Sequence, residues 1–84
     1  MSQPALLPDK HVRFGQSILA LAGWVRDRLD SPRTLDELWS LLRREPRLGE
    51  PPFDHLVFAV DLLYAIGQVT LNEGGRIRKR HATD

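Results

Sequence analysis

A chain of 84 residues is long enough for one domain with a single modest core and too short for two. Its 42% hydrophobic and 27% charged residues are typical of a globular protein and exclude the disordered and fibrous classes. The net charge of +1 excludes a uniformly basic or acidic chain, and the absence of cysteine excludes disulfides, thiolate metal sites and thiol nucleophiles.

The N-terminal part of the chain is predicted to be extended and then helical. Pro4 and Pro8 oppose helix formation, so residues 1–13 are predicted to form an extended segment. From about Phe14 the apolar residues recur at helical spacing, and this first helix must end before Pro32 because the residue preceding a proline avoids the helical region. The apolar positions that share one narrow arc are Phe14, Ile18, Leu21, Ala22, Val25 and Leu29.

A second, short helix is predicted to begin after Thr34. Thr34 and Glu37 have the spacing of a capping box, in which the hydroxyl accepts a hydrogen bond from the backbone of Glu37 while the carboxylate reaches back. Pro46 and the glycine and prolines that follow it end the helix. Its apolar arc consists of Leu35, Leu38, Trp39 and Leu42.

A third helix is predicted from about Phe53 to Ile66, with Gly67 in the left-handed position that commonly ends a helix. Beyond it, residues 69–71 and 76–78 alternate apolar and polar side chains around an Asn-Glu-Gly-Gly turn, which predicts a β-hairpin. A short extended piece is available around Arg33, between the first two helices.

This order of elements favours a mainly α fold with a small β-hairpin, the winged helix-turn-helix, in which three helices are followed by a wing. Residues 1–84 are predicted to form this single domain, with residues 80–84 as a flexible tail. The alternative is a plain three-helix bundle with a frayed tail. Gly67 followed by two alternating runs around a Gly-Gly turn favours the winged helix.

No catalytic or cofactor-binding motif emerges from the sequence. His11, His55 and His81 lack the spacing of metal ligands. Ser17 and Ser40 lack the glycines of a nucleophile elbow, and the Gly-Gly turn has no following helix or lysine to form a phosphate loop. We therefore expect a protein that is not an enzyme and that uses neither a metal nor a cofactor.

The sequence also lacks signals for export or membrane insertion. Its longest apolar stretch, residues 56–66, is interrupted by Asp61 and is shorter than the roughly 20 residues that a membrane-spanning helix needs. The first residues do not place a basic segment before an apolar one, as a secretory signal would. Together with the missing cysteines, this predicts a cytoplasmic protein without membrane contact.

The third helix is the element with which a winged helix usually reads DNA, but its outward residues do not suit that task. They include two carboxylates and no base, and therefore would repel phosphate. The apolar residues among them indicate a partner-binding surface instead, and Trp24, which lies off the apolar arc of the first helix, is assigned to it as well. The predicted partner-binding residues are Trp24, Asp54, Val57, Phe58, Asp61, Tyr64 and Ala65.

Two alternatives remain open for this surface. Residues 5–7 or the first helix would cover part of it within the same chain, or a second copy of the chain would bind there to form a homodimer. The basic run Arg76, Arg78, Lys79 and Arg80 is a candidate nucleic-acid-binding site that contacts the DNA backbone. If this run binds DNA, the protein would be a DNA-binding regulator, which is the rival function. Alternatively, the run is a solvated edge strand whose charges prevent pairing with other chains.

Four short motifs carry a resemblance to a known family. They are residues 6–14 (LLPDKHVRF) leading into 17–21 (SILAL), residues 34–39 (TLDELW), Phe53-Asp54, and residues 62–67 (LLYAIG). With these motifs the chain resembles small bacterial proteins called the middle components of three-component ABC ATPase systems, and it is most similar to the subtype numbered six. The resemblance extends over nearly the whole chain.

The resemblance implies a function that the residues alone do not. It implies that the protein is encoded beside a large SMC/Rad50-like ABC ATPase and an effector, in loci that resemble anti-phage defence systems of the Lamassu type. The small component would bridge or position the other two and would contribute no catalytic residues. Contact with DNA inside the assembled complex is compatible with this function.

Overall fold

The computed structural model describes residues 10–81, with side chains from Arg13 onward. Three α-helices are followed by a two-stranded antiparallel hairpin, and a short 3-10 helix, Pro46–Leu48, lies before the third helix. The helices are α1 (Lys10–Arg28), α2 (Leu35–Leu42) and α3 (Phe53–Ala65), and the strands are β1 (Val69–Leu71) and β2 (Ile77–Lys79). The predicted winged-helix arrangement of three helices and a wing is confirmed.

Helix α1 begins at Lys10, four residues earlier than the apolar spacing predicts. The prediction of an extended segment is therefore wrong for residues 10–13, because helix propagation N-terminal to Phe14 needs no buried side chain and the last opposing proline is Pro8. Residues 1–9, including the apolar residues 5–7, and residues 82–84 of the predicted tail lie outside the described part of the chain.

Helix α2 begins with the predicted capping box. The Glu37 N–H donates to Thr34 Oγ1 at 3.1 Å, and the Thr34 N–H donates to Glu37 Oε1 at 2.8 Å. The hydrogen bond from the Thr34 backbone is the largest effect and lowers the pKa of the Glu37 carboxyl. Desolvation opposes it, and the positive charge of Arg76 lowers the pKa further. The same carboxylate thus caps α2 and faces the hairpin.

Helix α3 ends just before Gly67, which takes the predicted left-handed position in a Schellman motif. Gly67 has φ +78° in the left-handed region, where a side chain would be strained. The Gly67 N–H donates to the Tyr64 carbonyl at 3.1 Å, and the Gln68 N–H donates to the Leu63 carbonyl at 2.8 Å. This sharp stop directs the chain from the helix straight into β1.

The hairpin pairs Val69 with Lys79 and Leu71 with Ile77. Asn72 shapes its turn, because the side-chain Oδ1 accepts hydrogen bonds from the backbone N–H groups of residues 74 and 76. On the other side of β2, Arg33 and Ile77 exchange two backbone hydrogen bonds of 2.9 and 2.7 Å. The extended piece expected around Arg33 thus attaches the α1–α2 connection to the wing.

The core joins all five elements, and α1 and α3 make its most extensive contact. Most of the predicted apolar positions are buried, but Phe14, which was assigned to the apolar arc of the first helix, is exposed, and so is Ile66 at the end of the third. Helical spacing defines a direction, and these two residues lie near helix ends, where the described residues cover their side chains only in part. The buried residues are Ile18, Leu21, Ala22, Trp24, Val25, Leu29, Leu38, Leu42, Leu56, Ala59, Leu63, Val69 and Ile77.

Candidate docking surfaces

The outer side of α3 carries exposed aromatic side chains between carboxylates. Phe58 is 48% exposed and Tyr64 59% exposed, while Asp54, Asp61 and Ala65 are also exposed. They face solvent because Leu56, Ala59 and Leu63 occupy the opposite side of the same helix and are buried. We call Asp54, Phe58, Asp61, Tyr64 and Ala65 the α3 outer face.

Helix α1 extends the apolar part of this face. The ring of Phe14 meets the ring of Phe58 at a centroid distance of 5.7 Å and the ring of His55 at 5.0 Å, both edge to face. Such aromatic pairs contribute about 0.5–1.5 kcal/mol beyond the area they bury. Phe14 was predicted to belong to the core, so its place beside Phe58 is a feature that the apolar spacing did not reveal.

Two residues assigned to the partner surface lie elsewhere. Trp24 is 6% exposed and belongs to the core, with the Arg28 guanidinium 5.5 Å from the centroid of its ring. The apolar side of α1 is therefore wider than the predicted arc, because a large indole reaches the core from the edge of that arc. Trp24 is not available to a partner of the folded chain. Val57 is half-buried and only borders the α3 outer face.

The basic run at the end of the chain is divided between the two ends of the hairpin. Arg76 lies at the turn, where its guanidinium contacts the Glu37 carboxylate at 3.2 Å. Arg78, Lys79 and Arg80 lie at the open end of the hairpin, where Lys79 pairs with Val69 of β1. The four bases therefore do not form one site, and Arg76 instead holds the wing against α2.

Arginines at and just after the end of α1 lie close to the open end of the hairpin. They were not among the predicted site residues. Arg26 Nε donates to the Gln68 side chain at 3.0 Å, and the Arg80 N–H donates to the Gln68 carbonyl at 2.9 Å. Three arginines within eight residues, 26–33, were visible in the sequence. Their proximity to residues 78–81 depends on strand pairing, which no local pattern reveals.

Within residues 10–81, no three His, Asp or Glu side chains lie close enough together to hold a metal ion. A cleft of about 330 Å³ beside α2 is lined by Trp39, Leu42 and Pro51, with only Arg43 and Glu50 to supply charge. None of the described helices is both long enough and apolar enough to cross a membrane.

The fold is that of a small winged-helix domain, with exposed aromatic and acidic side chains on α3 and basic side chains at the open end of the hairpin. Residues 7–80 match the family described as ABC-three component (ABC-3C) system Middle Component 6, and the chain belongs to this family. As a middle component of a three-component system, it has partner components. No curated protein and no solved structure matches the chain.

Proposed function

We propose that the chain is a non-catalytic adaptor subunit that docks through the α3 outer face onto an SMC/Rad50-like ABC ATPase and positions the effector of a bacterial anti-phage defence complex. One observation supports this proposal above the others. Phe58 and Tyr64 stand exposed on a helix that carries two aspartates and neither lysine nor arginine. Exposed aromatic residues surrounded by polar ones are typical of protein interfaces.

The charge on α3 argues against its usual role in a winged helix. A recognition helix enters the major groove with donors directed at bases and cations directed at phosphates. Asp54 and Asp61 are exposed on the side of α3 that would have to approach the duplex. Their carboxylates would repel the phosphates, so this helix fits a protein surface better than DNA.

The same features define the chemistry of the partner. Phe58 and its neighbour Phe14 offer an apolar contact that gains free energy only when another apolar surface excludes water from it. Asp54 and Asp61 favour lysine or arginine around that contact. The occupant of the α3 outer face is therefore a basic segment with an apolar anchor, which we assign to the ATPase component.

Co-expression of the chain with the ATPase component from the same locus tests this assignment. The double variant Phe58→Asp, Tyr64→Asp removes the exposed aromatic residues and adds negative charge. We expect its affinity for the ATPase, measured by calorimetry, to fall at least about 100-fold. Thermal unfolding of the unmodified chain and of the double variant verifies that the variant remains folded.

A matched control uses exposed apolar residues outside α3. Leu19, 64% exposed on α1, and Leu71, 56% exposed on β1, are replaced by aspartate in a second double variant. This control adds the same charge and is expected to retain the affinity of the unmodified chain within about threefold, because single exposed apolar residues are common on protein surfaces. Equal affinity of all three proteins for the ATPase would overturn the assignment.

Mass measurement in solution separates the adaptor from a homodimer on the same face. The proposal predicts that the isolated chain is a monomer at micromolar concentration and gains a partner only when the ATPase is added. A stable dimer that the Phe58→Asp, Tyr64→Asp variant dissociates would instead assign the α3 outer face to a second copy of the chain.

A further inference from the structure

Basic residues from two distant parts of the sequence converge at the open end of the hairpin. One part is residues 26–33, the last turn of α1 and its connection to α2, and the other is residues 78–81. A cleft of about 270 Å³ is lined by residues 29–32 from the first part and by Arg78, Lys79 and His81 from the second. We call residues 26–33 and 78–81 together the basic surface.

Hydrogen bonds hold the two parts of the basic surface in this arrangement. Gln68 joins the two parts, because its side chain accepts a hydrogen bond from Arg26 and its backbone carbonyl accepts one from Arg80. Arg33 is fixed twice, since its backbone pairs with Ile77 and its Nε donates to the Arg28 carbonyl. These hydrogen bonds hold the two parts side by side at the open end of the hairpin.

The positive charge of the described chain is concentrated here. The basic surface contains six Lys or Arg residues and two Asp residues, one of which, Asp30, contacts Arg33 at 3.3 Å. The remainder of residues 10–81 contains six Lys or Arg and seven Asp or Glu residues. A polyanion that approaches the protein is therefore attracted to this end of the molecule.

The basic surface has no apolar anchor among its own residues. Within 26–33 and 78–81 no large hydrophobic side chain is exposed and Leu29 is buried, while Tyr64 of α3 lines a neighbouring cleft with Arg78 and Arg80. A protein partner would need apolar contact to bind stably, whereas a nucleic-acid backbone is held by charge and counterion release. We propose that the basic surface binds the phosphate backbone of duplex DNA, without reading base sequence.

This site differs from the tip of the wing. Arg76, at the turn, is engaged with Glu37 on α2 and lies at the opposite end of the hairpin from Lys79. The bound backbone therefore crosses the end of α1 and the open end of the hairpin. This position leaves Asp54, Phe58 and Asp61 of the α3 outer face free for a protein, while Tyr64 lies where the two surfaces meet, in a cleft with Arg78 and Arg80.

The test measures binding of the full chain to a labelled duplex of about two helical turns by fluorescence anisotropy. We expect binding at about 50 mM salt that weakens steeply by about 200 mM. The variant Lys79→Glu, Arg80→Glu should lose at least about tenfold in affinity and show a shallower salt dependence. The neutral variant Lys79→Gln, Arg80→Gln should lose less affinity than the charge-reversed variant. It still tests the proposal if the charge-reversed variant fails to fold.

The control is Arg43→Glu, Arg44→Glu, directly after the end of α2, which changes the net charge equally outside the basic surface. It is expected to retain DNA affinity within about threefold. Absence of binding at low salt, or equal losses in the two charge-reversed variants, would overturn the proposal. Competition by polyglutamate as effective as that by unlabelled duplex at equal charge would instead assign the surface to an acidic protein. The assay contains only this chain and DNA, so its failure leaves the proposed docking on the ATPase untouched.

Discussion

The α3 outer face and the basic surface differ in what surrounds their charges. On α3, Asp54 and Asp61 flank exposed aromatic side chains, so binding there requires an apolar partner that excludes water. On the basic surface, no large apolar side chain is exposed among residues 26–33 and 78–81, and Tyr64 reaches only its border beside Arg80, so the proposed DNA binding there would depend mainly on charge. The comparison shows that the sign of the charge alone does not define the kind of partner. The apolar surface around the charge must be considered with it.

The largest expected effect tests whether the α3 outer face is independent of the core. Leu56→Ala removes a fully buried side chain and is expected to lower the free energy of unfolding by about 2–5 kcal/mol. Phe58→Ala, on the opposite side of the same helix, is expected to cost about 1 kcal/mol, chiefly through its contact with Phe14. Urea unfolding measures both. Equal losses would mean that Phe58 serves the core and is not part of a separate surface.

A smaller effect is expected at the junction between the two surfaces. Gly67→Ala places a side chain at φ +78° and its Cβ 3.4 Å from Arg80 Nη1, which should destabilise the fold by about 1–2 kcal/mol. Gly23→Ala is the matched control on α1, where a Cβ has no neighbour within 4 Å. It should stabilise the helix by about 1 kcal/mol. Thermal unfolding should therefore show shifts of opposite sign.

The contact between α2 and the wing should depend on pH. The pKa of Glu37 is lowered in the folded chain, so its stabilisation is fully present above the ordinary pKa of glutamate and is lost as the pH falls through the lowered pKa. Glu37→Gln retains a side-chain acceptor for the capping box without the charge. The gap in Tm between the two proteins should be constant near neutral pH and shrink in acid. A gap that persists in strong acid would contradict this charge-based account.

The smallest effect distinguishes the tip of the wing from the basic surface. Arg76→Gln removes the ion pair with Glu37 and leaves the open end of the hairpin intact. Since exposed ion pairs contribute little, stability should change only slightly. Affinity for duplex DNA should change less than about twofold. A loss as large as that expected for Lys79→Glu, Arg80→Glu would place the DNA at the tip of the wing.

Local sequence patterns predicted the elements well. The capping box at Thr34, the helix stop at Gly67 and the hairpin turn at Asn72 each depend on residues close in sequence, and all three are present. Trp24 was assigned wrongly because helical spacing gives the direction of a side chain but not its reach. The approach of Arg26 to Arg80 was missed because it depends on contacts across more than 50 residues.

The most direct test of the account measures two affinities for two variants. The single variant Phe58→Asp, which lies away from the hairpin, and the double variant Lys79→Glu, Arg80→Glu are each assayed for binding to the ATPase component and to duplex DNA. The account predicts a crossed result, in which the first variant loses the ATPase and retains DNA while the second loses DNA and retains the ATPase. If either variant loses both partners while remaining folded, the two surfaces do not act independently and the account is contradicted.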